Sequence, residues 1–333
     1  MMKIFSLNCR GLGNPETVGE LHNFVRKEGP TIVFLMETRL QVRDLEFLRV
    51  RLGMGSCFGV DRQGYGGGLA LLWDSSLSIH VRSFSSHHFD AEVFLSNGLG
   101  WRLTGFYGHP EAVLRARSWA LLRRLHEGQD MPWVVLGDFN EITSLDEQWG
   151  RLDRNLVQMV VFRDVLTDCS LQDLGFFGPP FTWSNRRKDN ALVRVRLDRG
   201  VANAGWLQLF PLVRVNHVVI SSSDHLGLLF DMESIGNGFG GQGRRRRPFR
   251  FDHSWVREVG CEEKIVEAWT LPQYVTAMYR VAQKVKACRV ALLKWSNSQV
   301  RVTPRLIEEK KAQLFQLENS LPGLYDSHEV NLL

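Results

Sequence analysis

The sequence predicts an α+β domain, a four-layered sandwich of two facing mixed sheets with helices outside, followed by a helical appendage. Three observations carry this. Short, strand-like runs rich in apolar residues and separated by polar turns recur through residues 2–231. After the opening, hairpin-like pairs of runs outnumber helices, which favours facing sheets over a doubly wound parallel sheet. A glycine-rich stretch at 236–243 then gives way to sequence rich in Ala, Leu, Lys, Glu and Gln with helical spacing. A chain of 333 residues accommodates a four-layered domain of about 230 residues plus such an appendage.

Taken in order, residues 3–7 read as a buried strand, 17–27 as an amphipathic helix and 31–36 as a second strand, a β-α-β opening. Strands follow at 67–73, 77–83, 89–96 and 101–107, then a helix at 111–126 and a strand at 133–137. A helix near 155–167 and short strands at 181–184, 213–219 and 226–231 complete the pattern. The glycines at 64 and 66–68 lack the strand-then-helix context and the spacing of a nucleotide loop, and read as a turn before a strand. The expected divisions are a domain at 1–233, a Gly/Arg-rich linker at 234–248 and a helical region at 249–333. In that last region Pro272 and Pro304 interrupt the helices. Ile307, Leu314 and Leu321 recur every seven residues with Leu317 between, too few heptads for a coiled coil.

Charge is uneven along the chain. Residues 1–233 hold 25 basic and 26 acidic side chains, so the overall +5 arises in the tail. If the first domain meets nucleic acid it must do so through a local cleft. Arg244–Arg247 reads either as a solvated linker edge or as a nucleic-acid or nuclear-localisation patch. Five scattered cysteines with no C-x-x-C pairing suggest neither a disulfide framework nor a zinc site. No signal-peptide core and no run long enough to span a membrane is evident. A soluble, intracellular protein is expected.

Chemistry-bearing side chains fall where apolar runs end. Asn8 follows Leu7, Glu37 follows Met36, Tyr107 closes the run from Trp101, and Asp138 follows the run at 134–136. Singly, each is what a turn or helix cap would also use. In Gly137-Asp138-Phe139-Asn140, an extended chain would project Asp138 and Asn140 to one side, suited to positioning a water and a phosphate oxygen. Ser223-Asp224-His225 stands at another strand mouth, and Asp198 is a candidate carboxylate to orient the imidazole. Trp73 and Trp183 read as core aromatics.

With these residues in view, the sequence resembles the endonuclease/exonuclease/phosphatase superfamily over about residues 2–231. The ordered motifs are Leu7-Asn8-Cys9-Arg10-Gly11, Met36-Glu37-Thr38, Gly105-Phe106-Tyr107, the Gly137–Asn140 tetrapeptide, Thr182-Trp183-Ser184, Leu197-Asp198-Arg199 and Ser223-Asp224-His225. The wording is most similar to endonuclease regions of plant LINE-type, non-LTR retrotransposons, in Asn8-Cys9-Arg10-Gly11-Leu12-Gly13, Phe34-Leu35-Met36-Glu37-Thr38 and Phe181-Thr182-Trp183-Ser184-Asn185. Arg247-Pro248-Phe249-Arg250-Phe251 and Leu293-Lys294-Trp295 resemble the connector that joins nuclease to reverse transcriptase in those polyproteins. No polymerase motif follows, so a truncated or excised product is implied.

The resemblance implies attack of water on a phosphodiester, assisted by magnesium with manganese as a tolerated substitute. It implies Glu37 and Asn8 as metal ligands with Asp224 as a second metal contact. Asp138 would activate or align the nucleophile beside Asn140. His225 would face the phosphate with Asp198 behind it, and Tyr107 would donate to the phosphate. Thr182 and Ser223 would be phosphate-contacting hydroxyls, and Arg186 and Arg187, with Lys188, would touch the DNA backbone at the rim. The partner implied is DNA, in a cleft at the strand ends, and the place of work nuclear rather than cytoplasmic. The alternatives are a catalytically silent remnant that binds nucleic acid or a partner, and a phosphatase of the same fold. One departure stands out. The family often has Pro soon after the Asp-His pair, whereas Leu226-Gly227-Leu228 follows here, a change expected to loosen His225.

Overall fold

A computed structural model describes residues 2–232, apart from 65, 96–97, 129–130, 151–153 and 189–190, together with 260–269 and scattered positions between 284 and 316. The chain divides into two compact units, Met1–Asn237 with Leu314–Leu333, and Gly238–Gln313.

In the first unit two six-stranded sheets form. One runs β14-β15-β1-β2-β4-β3, from Arg214–Val218 (β14), Gly227–Met232 (β15), Met2–Asn8 (β1), Ile32–Met36 (β2), Gly66–Trp73 (β4) and Ser56–Gln63 (β3). The other runs β10-β13-β8-β7-β6-β5, from Gln172–Asp173 (β10), Asp198–Ala202 (β13), Trp133–Asp138 (β8), Gly100–Tyr107 (β7), His88–Phe94 (β6) and Ser78–Ser85 (β5). Each sheet has a parallel pair at its centre, β1 with β2 and β7 with β8, flanked by antiparallel neighbours.

The period-two alternation of strands sorts the core into layers. Ile4, Phe34, Met36 and Leu71 of the first sheet pack against Phe89, Trp101, Leu103 and Leu136 of the second. The opposite faces carry Phe5, Leu7, Val33 and Leu35, which meet Val18, Leu21 and Val25 of α1 (Pro15–Glu28) and Leu45 and Leu48 of α2 (Leu45–Leu52). On the far side Phe106, Val135 and Val201 meet Trp119 and Leu122 of α3 (Arg115–His126) and Phe162 and Val165 of α4 (Leu156–Asp168). Four layers result, helix, sheet, sheet, helix, as the sequence predicts.

Several elements differ from expectation in detail. The first helix starts at Pro15, since Asn14 caps it by accepting from Glu16 N and proline is favourable in the first turn. The helix expected from 111 begins at Arg115, preceded by a 3-10 turn at Ala112–Leu114. The strand expected at 181–184 pairs only over Trp183–Ser184 (β11), in a small sheet with Arg194–Val195 (β12) and Gln148–Trp149 (β9). α2, β3, β13 and α5 (Ala204–Leu209) are additions. The second unit contains α6 (Cys261–Trp269), where Cys261 and Ile265 pack with Leu292 and Trp295. The linker at 234–248, the Arg244–Arg247 run, the connector-like motif at 247–251 and the heptad residues Ile307, Leu314, Leu317 and Leu321 lie outside the described residues.

Candidate active site

Both central parallel pairs end at the same edge of the sandwich. β1 ends on Asn8 in register with Met36, which Glu37 follows; β7 ends on Tyr107 in register with Asp138. The chain leaves β2 sharply, because Glu37 and Arg39 are left-handed (φ 50° and 55°). Glycines in β4 hold that exit. Thr38 N donates to Gly68 O at 3.0 Å and Arg39 N to Gly67 O at 2.9 Å. Gly68 has φ +87°, and a Cβ there would lie 2.5 Å from Thr38 Oγ1, so this approach requires glycine. The glycine cluster that reads as a mere turn thus also supports Glu37.

The Asn8 amide joins the two sheets' carboxylates, donating to Glu37 Oε1 at 2.9 Å and to Asp138 Oδ2 at 3.1 Å. Tyr107 donates its hydroxyl to the same Glu37 oxygen at 3.0 Å. Asp138 sits opposite Asp198 in the β8–β13 register. Asp198 Oδ2 lies 2.8 Å from His225 Nδ1, whose other nitrogen lies 4.0 Å from Asp138 Oδ2. The backbone leaves β8 at Asp138, and Asn140 turns left-handed (φ 55°), so the extended geometry expected of this pair does not hold. Instead Asn140 orients Asp138 through its backbone N–H (2.9 Å to Oδ1), while its side chain ties down Gly108 O at 2.9 Å.

Thr182 and Ser223, expected to meet phosphate, turn their hydroxyls inward. Thr182 Oγ1 accepts from the N–H groups of Leu197 and Asp198 at 3.0 and 2.9 Å. Ser223 Oγ donates to Asn8 O at 2.7 Å and accepts from His225 N at 3.1 Å. Both are buried and position the carboxylate–imidazole pair. The Leu226-Gly227-Leu228 departure does not loosen His225, which stays buried. Leu226 N donates to Thr182 O at 2.7 Å, and Gly227 makes room for the Phe5 ring, which a Cβ would meet at 2.4 Å.

Burial sets the titration of the inner groups. It pushes the Asp138 carboxyl up, and the Asp198 charge adds to this, while His225 and the Asn8 amide oppose it. For His225 burial works against the charged form. The Asp198 carboxylate, by charge and hydrogen bond, outweighs it with help from Asp138, and the imidazole is lifted. Burial and the Glu37 charge push the Tyr107 phenol up, so it remains a donor.

Arg10 was not legible as a site residue, yet it forms an ion pair with Asp224, across 214 positions of chain. Trp183, expected in the core, is half-buried, and its indole N–H donates to Asp224 Oδ2 at 3.0 Å. Arg186 donates to the carbonyls of Ser221 (3.2 Å) and Ser223, which fastens the 186–188 loop beside Asp224. Arg187 and Lys188 are exposed. Behind Tyr107, His87 Nδ1 lies 2.8 Å from its carbonyl and stacks on His109, with 3.8 Å between ring centroids.

The oxygen donors fit a hard divalent cation. Glu37 is partly exposed, and its Oε2 stands 4.0 Å from the Arg39 guanidinium, beyond hydrogen-bond reach. Asp224 Oδ1 is buried without a partner. Among the described residues the one group of three with metal-binding spacing is Asp138, Asp198 and His225, with one ligand atom of each within 4.8 Å of the others. There the short Asp198–His225 bond already engages Nδ1, an arrangement suited to holding a proton.

Two facing mixed sheets with carboxylates and a histidine gathered at the ends of their central strands define a class of phosphoester-hydrolysing proteins. The chain belongs to the Endonuclease/Exonuclease/phosphatase family, whose model matches residues 5–225. Solved structures share the fold. The endonuclease domain of TRAS1, a telomere-specific non-LTR retrotransposon, is 16% identical with a TM-score of 0.52, covering 70% of this chain and 98% of its own. The 3' phosphatase NExo from Neisseria, bound to a product DNA hairpin, is 19% identical with a TM-score of 0.54, covering 70% and 100%. An AP endonuclease from Archaeoglobus fulgidus is 16% identical with a TM-score of 0.52, at the same coverage. No curated protein sequence matches the chain. Among the described residues no helix is long and apolar enough to cross a membrane.

Proposed function

We propose that this protein is a magnesium-dependent phosphodiesterase that nicks DNA, an endonuclease of LINE-type retrotransposon origin, with residues 1–233 as the nuclease domain and 249–333 as its connector. The observation that carries the reading is the hydrogen-bonded chain from Tyr107 through Glu37 and Asn8 to Asp138, with the Asp198–His225 pair 4.0 Å from Asp138.

In this reading Glu37 holds the ion, and Asn8 joins it by turning its amide, since Nδ2 and not Oδ1 faces Glu37 and Asp138. When bound, magnesium supplies Lewis-acid charge to the phosphoryl oxygens and the leaving group. Asp138, fixed by Asn8 and Asn140, aligns the attacking water and accepts its proton. His225, kept protonated by Asp198, donates toward a phosphate oxygen, and Tyr107 re-aims its hydroxyl from Glu37 to the phosphate. Arg186, Arg187 and Lys188 line the rim over which DNA enters. With chromosomal DNA as substrate, the protein works in the nucleus.

The test is nicking of supercoiled plasmid by the full chain with magnesium or with EDTA, beside Asp138→Ala and His225→Ala. Magnesium-dependent relaxation lost in both variants supports the reading. A folded chain that leaves plasmid intact redirects it, to a phosphatase if short 3'-phosphorylated DNA is turned over, and to a silent remnant if not.

A further inference from the structure

Arg10 adopts a left-handed backbone (φ 46°) two residues after Asn8, and its Nη1 pairs with Asp224 Oδ2. The Trp183 indole donates to that same oxygen at 3.0 Å. The Asp224 side chain is 14% exposed, whereas that of Arg10 is 47% exposed. One corner of the guanidinium is therefore fixed on a recessed carboxylate while the group as a whole stays about half exposed.

We infer that Arg10 stands in place of a second divalent cation at Asp224. The protein holds one ion, at Glu37 and Asn8, and the guanidinium supplies the fixed positive charge to the phosphate on the Asp224 side. This rests on the metal-dependent reading above.

Charge pairing supports it. Asp198 is hydrogen-bonded by His225, and Asp224 is matched by Arg10. Glu37 and Asp138, bridged by the neutral Asn8 amide, have Arg39 and His225 no nearer than 4.0 Å, and one divalent cation would match their charge. A second ion at Asp224 would meet a guanidinium already seated there. It would also find one free oxygen, Oδ1, where a hard cation seeks about six. A guanidinium presents five donors in a planar fork that matches phosphate, and after Asp224 takes one corner the fork still offers paired N–H groups.

The inference is tested by counting ions. Manganese is titrated into the metal-free full chain and free Mn²⁺ is followed by electron paramagnetic resonance, for wild type, Arg10→Gln, Arg10→Lys and Asp224→Asn. Wild type, Arg10→Lys and Asp224→Asn are expected to bind one ion, and Arg10→Gln two, because Asp224 is released. Nicking by Arg10→Gln should fall about 10- to 100-fold, the loss of one charged hydrogen-bonding contact, and recover as manganese fills the second site. Two ions on wild type, with one lost in Asp224→Asn, overturn the inference while leaving the metal reading intact. So does an Arg10→Gln chain with a native melting transition that still binds one ion. If Arg10→Gln does not fold, the wild-type and Asp224→Asn counts decide alone. No ion on wild type overturns the metal reading itself, and the inference with it.

Discussion

Asp198 and Asp138 are direct register partners on adjacent antiparallel strands, and the His225 imidazole lies against both carboxylates. The Asp198 charge adds to burial in raising the Asp138 carboxyl. Asp198→Asn should therefore lower the His225 pKa, since its main charge partner is gone, and bring the Asp138 carboxyl down. Histidine and carboxyl NMR titrations of the metal-free chain read both changes. An unmoved His225 would contradict the assignment of Asp198 as its orienting carboxylate.

Glu37→Gln separates the two candidate ion sites. A ligand that binds only the folded state raises stability by RT ln(1 + [L]/Kd), about 2.7 kcal/mol at a hundredfold excess over Kd. The melting temperature of the wild-type chain should rise when magnesium replaces EDTA, and that rise should vanish in Glu37→Gln. An undiminished rise would place the ion at Asp138, Asp198 and His225 instead.

His217 gives a stability limb in acid. It is buried, with Nδ1 2.7 Å from Pro179 O, and burial, together with the Arg196 charge, pulls its pKa down to about 4 despite that bond. The folded state therefore resists the proton that an unfolded chain accepts near pH 6.5. The stabilising contribution is complete above about pH 6.5 and is lost as the pH falls toward about 4, at roughly 1.4 kcal/mol for each pH unit crossed, or about 3 kcal/mol in all. Denaturant melts of His217→Asn should show a shallower decline across that window than wild type.

Gly137 precedes Asp138 with φ +139°, and a Cβ there would lie 2.1 Å from Phe106 O. The contact is with the backbone of the parallel partner strand, which cannot step aside. Gly137→Ala should cost about 3 kcal/mol or more, and what activity remains should be reduced because Asp138 is displaced. A melt within about 1 kcal/mol of wild type would contradict this.

Arg199, wholly buried, reaches Glu147 Oε2 at 2.8 Å and Asp173 Oδ2 at 2.9 Å, and Arg196 pairs with the same two acids at 2.7 Å. Arg199→Met leaves those carboxylates undercompensated, and removing one partner of a buried pair costs about 3–5 kcal/mol. Because Arg199 adjoins Asp198 on β13, nicking should fall in step with stability. Denaturation and plasmid assays on the same preparation read both.

The central strands were legible because their apolar runs are buried on both faces: Ile32 through Met36 are each fully covered. That is also why Asn8, Glu37, Tyr107 and Asp138, at the first polar step after such runs, stood out. β3 was not legible, since its half-buried residues show no alternation. α2 escaped because exposed Phe47 and Val50 blur the stripe of Leu45, Leu48 and Leu52. Arg10 and the inward turn of Thr182 and Ser223 depend on contacts between distant segments, which no local pattern encodes.

The side chains between the sheets also act as a gauge. Glu37 hangs from one sheet and Asp138 from the other, with the Asn8 amide spanning the gap. The thickness of the layer formed by Phe34, Phe89 and Trp101 therefore sets the width across which that amide must reach. Trimming a ring far from the opening would narrow or tilt the gap, and the reaction centre would lose alignment at substitutions the rest of the molecule tolerates. Drift in this greasy spacer is a route by which such a protein falls silent while every polar group at its mouth is kept.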